Sequence, residues 1–279
     1  MTAVGLVGLG TMGKKFTDRL VESDHSLVAF DIDGDALAYA TERGAEAADS
    51  PADVARRAAV VLLSLPSNEA VEAAMESADG VLEGAGEGTV VVDTGTTRPA
   101  LSERYRRECE AVGADFLEAP LTRAMGVTMM VGGDPDTYER VSDVLDAVAG
   151  QHRRIGDVGA GQSLKLMKQI IGAGYDAACA EAVEFGRDVG VDPRLLNDYL
   201  EMGVNERFFE DGGTFEEGGT GSLALRSKDL YCAVDYAHEN RTAVPLTKLV
   251  AEAHKRADRA SADPQHHEGI VRYWRELNR

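Results

Sequence analysis

A glycine-rich segment close to the N-terminus is the strongest chemical signal in the sequence. It is Gly8-Leu9-Gly10-Thr11-Met12-Gly13, directly after an apolar run and at the start of a helical pattern. In such a segment the first glycine allows a tight turn, the second lets a pyrophosphate approach the backbone, and the third permits close packing of helix on strand. The free N–H groups and the dipole of the helix N-terminus favour anions. The segment therefore predicts a dinucleotide-binding loop.

A carboxylate follows this loop 18 residues after Gly13, at a spacing that suits contact with a dinucleotide ribose. Asp31 ends the second apolar run, and Asp33 adds negative charge beside it. A carboxylate at this place accepts hydrogen bonds from the adenosine ribose hydroxyls and repels a 2′-phosphate. No arginine follows Asp31 to accept such a phosphate. We therefore expect NAD as the cofactor, and NADP less because of Asp31.

Alternating strands and helices must position these groups in the first half of the chain. Short, β-branched apolar runs separated by helical patterns indicate a parallel sheet covered on both faces, and right-handed crossovers make it doubly wound. The predicted fold class is α/β, with a Rossmann domain over residues 1–157 that has a mostly parallel sheet. The predicted strands are Thr2–Gly8, Ser26–Asp31, Ala59–Leu65, Thr89–Asp93, Ala114–Pro120 and Val127–Gly132, and the predicted helices are Met12–Glu22, Asp35–Arg43, Asn68–Glu76, Pro99–Val112 and Tyr138–Val148.

The second half has helical patterns and no strand signal. Residues 158–279 are therefore predicted to form an all-α domain. It starts with one long helix over Gln162–Gly190, about 40 Å at 1.5 Å per residue, which is long enough to run from one domain into the other. Further helices are predicted to begin at Asp192-Pro193 and to cover Ser222–Asn240, Pro245–Ala260 and the tail from Gln265 onward.

The charge balance excludes several classes of partner. The chain has 48 Asp and Glu against 29 Lys and Arg, a formal net charge of −19, and only 7 of its basic residues are lysines. Such a surface disfavours nucleic acid and anionic membranes. Adaptation to high salt and the plain composition of a GC-rich genome both explain the acidity.

Three separated cysteines form no disulfide framework, and the N-terminus has no secretory pattern. We therefore expect a cytoplasmic protein. No metal site is predicted, because His266-His267 has no ligand pattern around it.

Six further segments extend the pattern over nearly the whole chain. They are LSLPSNEAV (Leu63–Val71), VDTGTTRP (Val92–Pro99), EAPLTRAMG (Glu118–Gly126), MMVGG (Met129–Gly133), GAGQSLKLMKQ (Gly159–Gln169) and SKDL (Ser227–Leu230). With the glycine loop, their order and spacing resemble those of the β-hydroxyacid dehydrogenases, which include 3-hydroxyisobutyrate dehydrogenase. The resemblance implies NAD(P)-linked oxidation of a short 3-hydroxy acid to the semialdehyde, or the reverse reduction, by a homodimer or homotetramer.

The resemblance places the catalytic lysine of the family at Lys165. The lysine lies in the first turns of the long helix, where the positive end of the dipole disfavours an ammonium, so its pKa is expected to be lowered. Its role would be general acid and base toward the substrate hydroxyl. Gln169 lies four residues further on the same helix face, where the family usually has Asn to bind substrate or orient the lysine. Lys168 occupies the position of another common Asn, which leaves its role open.

Other positions carry over on the cofactor side. Leu65 and Pro66 should lie along the path of the adenosine and nicotinamide riboses, and Thr96 matches a threonine of the family pattern although Gly95 replaces its serine. Lys228 matches a lysine that the family places near the nicotinamide and the substrate.

The clearest departure from the family is Thr122-Arg123-Ala124, where most relatives have Ser-Gly-Gly that holds the substrate carboxylate. Thr122 keeps a hydroxyl, and Arg123 puts a permanent cation with a planar fork at this place. We expect Arg123 to bind a substrate carboxylate or phosphate in a bidentate manner. The other interpretation is an outward arginine that pairs with the acidic surface.

Two other kinds of function remain open on the sequence alone. An oxidoreductase similar to 6-phosphogluconate dehydrogenase or to imine reductases shares the architecture. The chain lacks the longer helical domain of the former and keeps the lysine that the latter usually replace. A non-catalytic NAD-sensing Rossmann protein is the alternative from another class, and retention of Lys165, Gln169 and Lys228 argues against it.

Overall fold

A computed structural model describes residues 2–122, 126–209, 223–260, 270, 273–274 and 277. The chain divides into two compact units, Met1–Lys165 and Leu166–Arg279. This division falls inside a long helix, whereas the predicted domain boundary lies between residues 157 and 158.

The first unit is built on one mixed sheet. Its strands follow the order β3-β2-β1-β4-β5-β6-β8-β7, and β9 pairs with β8. All pairs from β3 to β6 are parallel, and β8 is antiparallel to β6 and β7. The strands are β1 (Ala3–Val7), β2 (Ser26–Phe30), β3 (Glu46–Ala47), β4 (Val60–Leu63), β5 (Val90–Asp93), β6 (Asp115–Glu118), β7 (Leu121–Thr122), β8 (Thr128–Gly132) and β9 (Gln151–Gly156).

Helices cover both faces of this sheet. The strands β4 and β5 are buried along their whole length, because two separate apolar cores pack against opposite faces of the sheet. Continuous apolar runs are typical of strands in this environment. The helices are α1 (Thr11–Val21), α2 (Gly34–Thr41), α3 (Pro51–Arg57), α4 (Asn68–Glu76), α5 (Val81–Gly84), α6 (Pro99–Ala111), α7 (Pro135–Arg140) and α8 (Ser142–Val148). The predicted α/β class with a mostly parallel sheet is confirmed.

One predicted helix of this unit is wrong in its extent. Instead of a single helix over Tyr138–Val148, the chain forms α7 and α8 with a break at Val141. The first of them begins earlier than predicted, because Pro135 stands at its first turn and the Asp134 carboxylate accepts a hydrogen bond from Thr137 N. An aspartate cap followed by proline is a common helix start.

The second unit consists of helices in its described residues. The helix α9 (Ala160–Asp188) begins in the first unit and continues into the second. It is followed by α10 (Leu195–Asp198), a short 3-10 turn at Glu206–Phe208, α11 (Leu223–Glu239) and α12 (Pro245–Ala260). The predicted helix start at Asp192-Pro193 gives only turns and the short α10. Most of the tail from Gln265 lies outside the described residues. Among the residues that the structure describes, no helix is long and apolar enough to cross a membrane.

Candidate active site

The glycine loop has the geometry that the sequence predicts. Gly8 has a φ of 95°, and a Cβ there would lie 2.5 Å from Ser64 O. A Cβ on Gly13 would lie 2.1 Å from Gly8 O, so α1 packs directly on the turn. Gly10 faces open space, and its position as N-cap leaves the N-terminus of α1 without a side-chain cap among the described residues. Tight turn, close packing and an open helix N-terminus fit the pyrophosphate of a dinucleotide.

Asp31 is tied to this loop by its own carboxylate. One oxygen accepts a hydrogen bond from Leu9 N at 2.5 Å, and the other accepts one from Asp33 N at 2.9 Å. The backbone N–H of Leu9 is therefore used inside the protein, while Thr11 stays exposed and Met12 half-buried at the start of α1. Since the carboxylate is fixed at the end of β2 and only half-buried, its remaining lone pairs suit a ribose diol.

The neighbouring strand ends hold the other predicted cofactor residues. Leu65 and Pro66 follow β4, and Thr96 follows β5, which is the neighbouring parallel strand. Asp93 fixes the second of these turns, since its carboxylate accepts hydrogen bonds from Gly95 N at 2.9 Å and from Thr97 Oγ1 at 3.0 Å. The carboxyl ends of parallel strands are the usual place for ligands in open α/β sheets.

Lys165 lies at the same edge of the sheet. Its side chain is buried, with 8% of the residue exposed, and Nζ donates a hydrogen bond to Leu121 O at 2.6 Å. Leu121 immediately precedes Thr122, the first residue of the predicted substrate loop. The structure therefore brings the predicted catalytic lysine to the start of that loop. Thr122 is half-buried in β7 and pairs with Thr128, while Arg123 and Ala124 lie outside the described residues.

Gln162 fastens the first turn of α9 to the end of β5. Its Nε2 donates to Gly95 O and to Thr97 Oγ1, both at 3.0 Å, and its Oε1 accepts from Thr97 N at 3.2 Å. The residue is fully buried. Since Lys165 follows Gln162 by three positions in the helix, this amide fixes the helix turn that carries the lysine.

Glu118 holds the same turn from the end of β6. Its Oε1 accepts hydrogen bonds from Gly159 N at 2.8 Å and Gln162 N at 3.1 Å, which satisfies two N–H groups at the start of the helix. Burial raises the pKa of Glu118 to about 7, and the negative charge of Asp93 acts in the same direction. The two backbone N–H groups and the nearby Ser102 hydroxyl favour the ionised form and oppose this rise.

Gln162 and Glu118 both stand in segments that carry the family resemblance, but their roles do not follow from the sequence. A polar residue directly after Gly-Ala-Gly and a carboxylate that ends an apolar strand are signals of burial with partners. Their partners are distant in the sequence, and for this reason the sequence alone did not identify them.

A second group of predicted residues belongs to the second unit. The amide of Gln169 is buried and bonded at both ends: Nε2 donates to Asp229 Oδ2, and Oε1 accepts from Lys168 Nζ at 3.1 Å. Lys228 Nζ lies 3.2 Å from Asp229 Oδ1. The structure therefore joins Gln169 and Lys228 through Asp229.

The surroundings of this group carry more charge. Arg226 Nη1 lies 2.8 Å from Asp176 Oδ2, and both side chains are largely buried. Burial lowers the pKa of Lys168, and the positive charge of Arg226 acts in the same direction while Asp176 and Asp229 oppose it. His254 is buried nearby, and burial lowers its pKa as well. Across the described ranges no three His, Cys, Asp or Glu side chains are grouped to hold a metal ion.

Comparison with known families gave two matches that together cover almost the whole chain. Residues 3–158 match the family described as the NAD binding domain of 6-phosphogluconate dehydrogenase. Residues 159–274 match the family described as the NAD-binding of NADP-dependent 3-hydroxyisobutyrate dehydrogenase.

Individual relatives agree with these matches. The chain is 28% identical to mitochondrial 3-hydroxyisobutyrate dehydrogenase of Mus musculus, over 99% of this chain and 88% of the relative. It is 30% identical to L-threonate dehydrogenase of Cupriavidus necator, over 90% of this chain and 88% of the relative. Among solved structures, 3-hydroxyisobutyrate dehydrogenase of Mycobacterium tuberculosis with L-serine superposes with a TM-score of 0.87 at 25% identity, covering 100% of both chains.

Proposed function

We propose a reaction for this chain, which belongs to the β-hydroxyacid dehydrogenase family. It oxidises a short 3-hydroxy acid to the semialdehyde with a nicotinamide dinucleotide, or catalyses the reverse reduction. The observation that carries this proposal is the buried lysine at position 165, whose Nζ is held 2.6 Å from Leu121 O at the ligand-binding edge of a dinucleotide-binding sheet. The relatives named above are dehydrogenases of hydroxy acids.

Lys165 would act as general base in the oxidation and general acid in the reduction. Bound NAD(P) would supply the hydride acceptor. A neutral lysine amine has two N–H donors and one lone pair, and donation of one N–H to Leu121 O orients the lone pair that takes the hydroxyl proton. The ties of Gln162 and Glu118 to the same helix turn limit the freedom of this amine, which supports a defined direction of proton transfer.

NAD is the proposed cofactor, in preference to NADP. The support for this choice is the Asp31 carboxylate, which is fixed by Leu9 N and Asp33 N at the end of β2. A fixed negative charge here favours the ribose diol and repels a 2′-phosphate. Lys228 is proposed to contact the cofactor from α11.

The substrate carboxylate is proposed to bind at Thr122, Arg123 and Ala124. Thr122 supports this because it directly follows Leu121, whose carbonyl holds the lysine. Gln169 is proposed to contribute from the next turn of α9 by one remaining amide N–H, since its other contacts fix the amide in place.

A turnover assay tests the function. The protein is incubated with NAD or NADP and a panel that includes 3-hydroxyisobutyrate, L-threonate, L-serine and longer hydroxy acids, and formation of the reduced cofactor is followed by absorbance. Reduction of NAD with at least one acid is expected. The variant Lys165→Met is expected to lose about 10²- to 10⁴-fold in kcat, because general acid–base catalysis contributes roughly that factor.

The control variant is Lys248→Met, which removes the same charge from an exposed position of α12 and should leave kcat unchanged. Binding of NADH to Lys165→Met, measured by cofactor fluorescence, should match that of the wild type. Full turnover by Lys165→Met contradicts the proposal. NADH binding by the wild type without turnover of any acid would favour the NAD-sensing alternative instead.

A further inference from the structure

Gln162 is a fully buried amide that binds a single turn with both of its ends. Its Nε2 donates to Gly95 O and to Thr97 Oγ1, and its Oε1 accepts from Thr97 N at 3.2 Å. A backbone carbonyl can only accept and a backbone N–H can only donate, so these bonds decide which end of the amide faces which group. Both N–H groups of the amide are therefore used on the turn that follows β5.

The two backbone groups that Gln162 binds lie on either side of Thr96, which the family resemblance places at the cofactor. The carbonyl belongs to the preceding residue, Gly95, and the N–H belongs to the following residue, Thr97. Asp93 holds the same two neighbours from the end of β5, by bonds to Gly95 N at 2.9 Å and Thr97 Oγ1 at 3.0 Å. The backbone at Thr96 is therefore held in place from α9 as well as from its own strand.

The main chain of Gln162 belongs to the helix turn that carries Lys165. Its N–H donates to Glu118 Oε1 at 3.1 Å, and Lys165 follows three positions later, about 4.5 Å along the helix axis. The Lys165 amine in turn donates to Leu121 O. All of these residues lie in the first unit, Met1–Lys165. A single residue thus connects the turn of the predicted cofactor contact with the turn of the predicted proton acceptor.

We propose that Gln162 is a positioning residue that keeps Thr96 and Lys165 in one fixed arrangement, so that the two residues are energetically coupled through it. Residues joined by one hydrogen-bond network commonly show such coupling, and a small displacement of a catalytic group lowers the rate strongly. This inference deepens the proposed function and rests on it for the roles of Thr96 and Lys165. The arrangement itself rests on the contacts of Gln162.

A double-mutant cycle on NADH binding tests the coupling without any hydroxy acid. Dissociation constants are measured by cofactor fluorescence for the wild type, Thr96→Val, Gln162→Met and the double variant. Thr96→Val is expected to weaken binding about 5- to 10-fold in the wild type, the value of one hydrogen bond. In Gln162→Met the same change should weaken binding about 2-fold or less, because Thr96 is no longer held in place. Gln151→Met replaces an exposed amide of β9 and should keep the wild-type effect of Thr96→Val.

The position of Lys165 is tested in the protein without cofactor. Trace acetylation by acetic anhydride is followed at each lysine by mass spectrometry. Gln162→Met should raise the labelling of Lys165 about 10-fold, because local opening of its helix turn becomes easier. Labelling of the half-buried Lys14 in the same unit and of the exposed Lys248 should stay as in the wild type. An equal increase at Lys14 would indicate general loosening of the unit and would overturn the specific role.

A second variant keeps the test sharp if Gln162→Met does not fold. Gln162→Glu retains the shape and an acceptor for Thr97 N, but its carboxylate cannot donate to Gly95 O. It should show the same loss of coupling and the same increase in Lys165 labelling. Equal effects of Thr96→Val with and without Gln162, no effect of Thr96→Val in the wild type, or unchanged labelling of Lys165 would each overturn the proposal.

Turnover separates this inference from the proposed function. Both Gln162 variants are expected to lose about 10- to 100-fold in kcat at saturating NAD, with a smaller change in KM for the acid. Coupling and labelling as expected in a protein that oxidises no acid would retain the arrangement and reject the proposed reaction. Wild-type kcat in both Gln162 variants would keep the reaction and reject the positioning role.

Discussion

The carboxylate of Asp31 has a structural part in the glycine loop and a proposed part in cofactor selection. One lone pair of its carboxylate is used by Leu9 N and another by Asp33 N, which leaves acceptor capacity at the surface of the loop. The same carboxylate thus holds the glycine loop and carries the charge on which the proposed preference for NAD rests. The two are only partly separable, because an amide in its place loses the charge and keeps one acceptor oxygen, whereas the two backbone N–H groups donate to different oxygens of the carboxylate.

The variant Asp31→Asn is therefore expected to fold with one of these two backbone hydrogen bonds lost, at a cost of about 1 to 3 kcal/mol in stability, and to change its cofactor preference. Loss of charge-assisted hydrogen bonds to the ribose diol should lower kcat/KM for NAD about 10- to 100-fold, and kcat/KM for NADP should fall less or rise. Steady-state kinetics with both cofactors measure this ratio. Asp33→Asn is the control, since it removes an equal charge two residues away while Asn remains a good cap for α2. An equal shift in both variants would assign the effect to overall charge.

Residues with local signals were predictable, and residues defined by distant partners were not. The glycine loop, Asp31 and Lys165 have sequence motifs around them, and the structure places each at the edge where such motifs function. The partners of Gln162 come from the turn after β5 and from β6, more than forty residues earlier in the chain. No spacing rule in one sequence reveals a hydrogen bond over such a distance.

Helices and strands with a strong local pattern are likewise predictable from the sequence, and those without one are not. Long apolar or amphipathic segments were predicted, and α4 and α12 have the predicted bounds. The two-residue strand β3 is too short to show alternation, and β9 carries a histidine and two arginines that mask its strand character. In contrast, α3 had a detectable start, because Ser50 caps it and Pro51 stands at its first turn. No helix is predicted there from the sequence, although this signal is local.

The protonation of Glu118, which binds the start of α9, makes the stability of the fold depend on pH. Its carboxyl group is fully buried, and its pKa is about 7, while the ordinary value is 4.5. Between these two values the folded protein holds a proton that the unfolded chain has released, so stability decreases as pH rises from about 4.5 through 7. Above pH 7 both states are ionised at this group, and the decrease is complete.

The variant Glu118→Gln should remove this dependence. Its amide oxygen can still accept from Gly159 N and Gln162 N, so the tie to α9 persists without a buried charge. Relative to the wild type, the free energy of unfolding of the variant should rise by about 3 kcal/mol between pH 5 and pH 8. Urea denaturation at the two pH values measures the change. Glu139→Gln alters an exposed carboxylate on α7 and should show no such dependence; the prediction fails if Glu118→Gln behaves in the same way.

The surface of the whole molecule combines strong negative charge with an apolar face on one helix. We define the α9 stripe as the exposed, mostly apolar positions Met167, Ile171, Tyr175, Ala178, Ala182 and Phe185. Their spacing of three and four residues puts them on one side of α9. Met167 is 59%, Ile171 71% and Phe185 66% exposed. A continuous apolar face of this length on an otherwise charged protein is typical of an interface between subunits.

We therefore expect a homodimer or homotetramer in which the α9 stripe is buried. Light scattering after size exclusion measures the mass. Ile171→Glu and Phe185→Glu should shift the protein toward the monomer, because each places a charge in a dehydrated interface. Two chains of charge −19 repel each other, and salt screens this repulsion with a Debye length of about 10 Å at 0.1 M. Association should therefore strengthen as the salt concentration rises.

Gln151→Glu provides the charge control, since it adds one negative charge at an exposed residue of β9 in the first unit. If that variant dissociates as readily as Ile171→Glu, net charge rather than the α9 stripe decides the assembly. If the wild type is a monomer at every salt concentration, the stripe is not a subunit interface. The sign of the salt effect separates the forces involved: contacts between opposite charges weaken with salt, whereas burial of Ile171 and Phe185 against a like-charged partner gains from it.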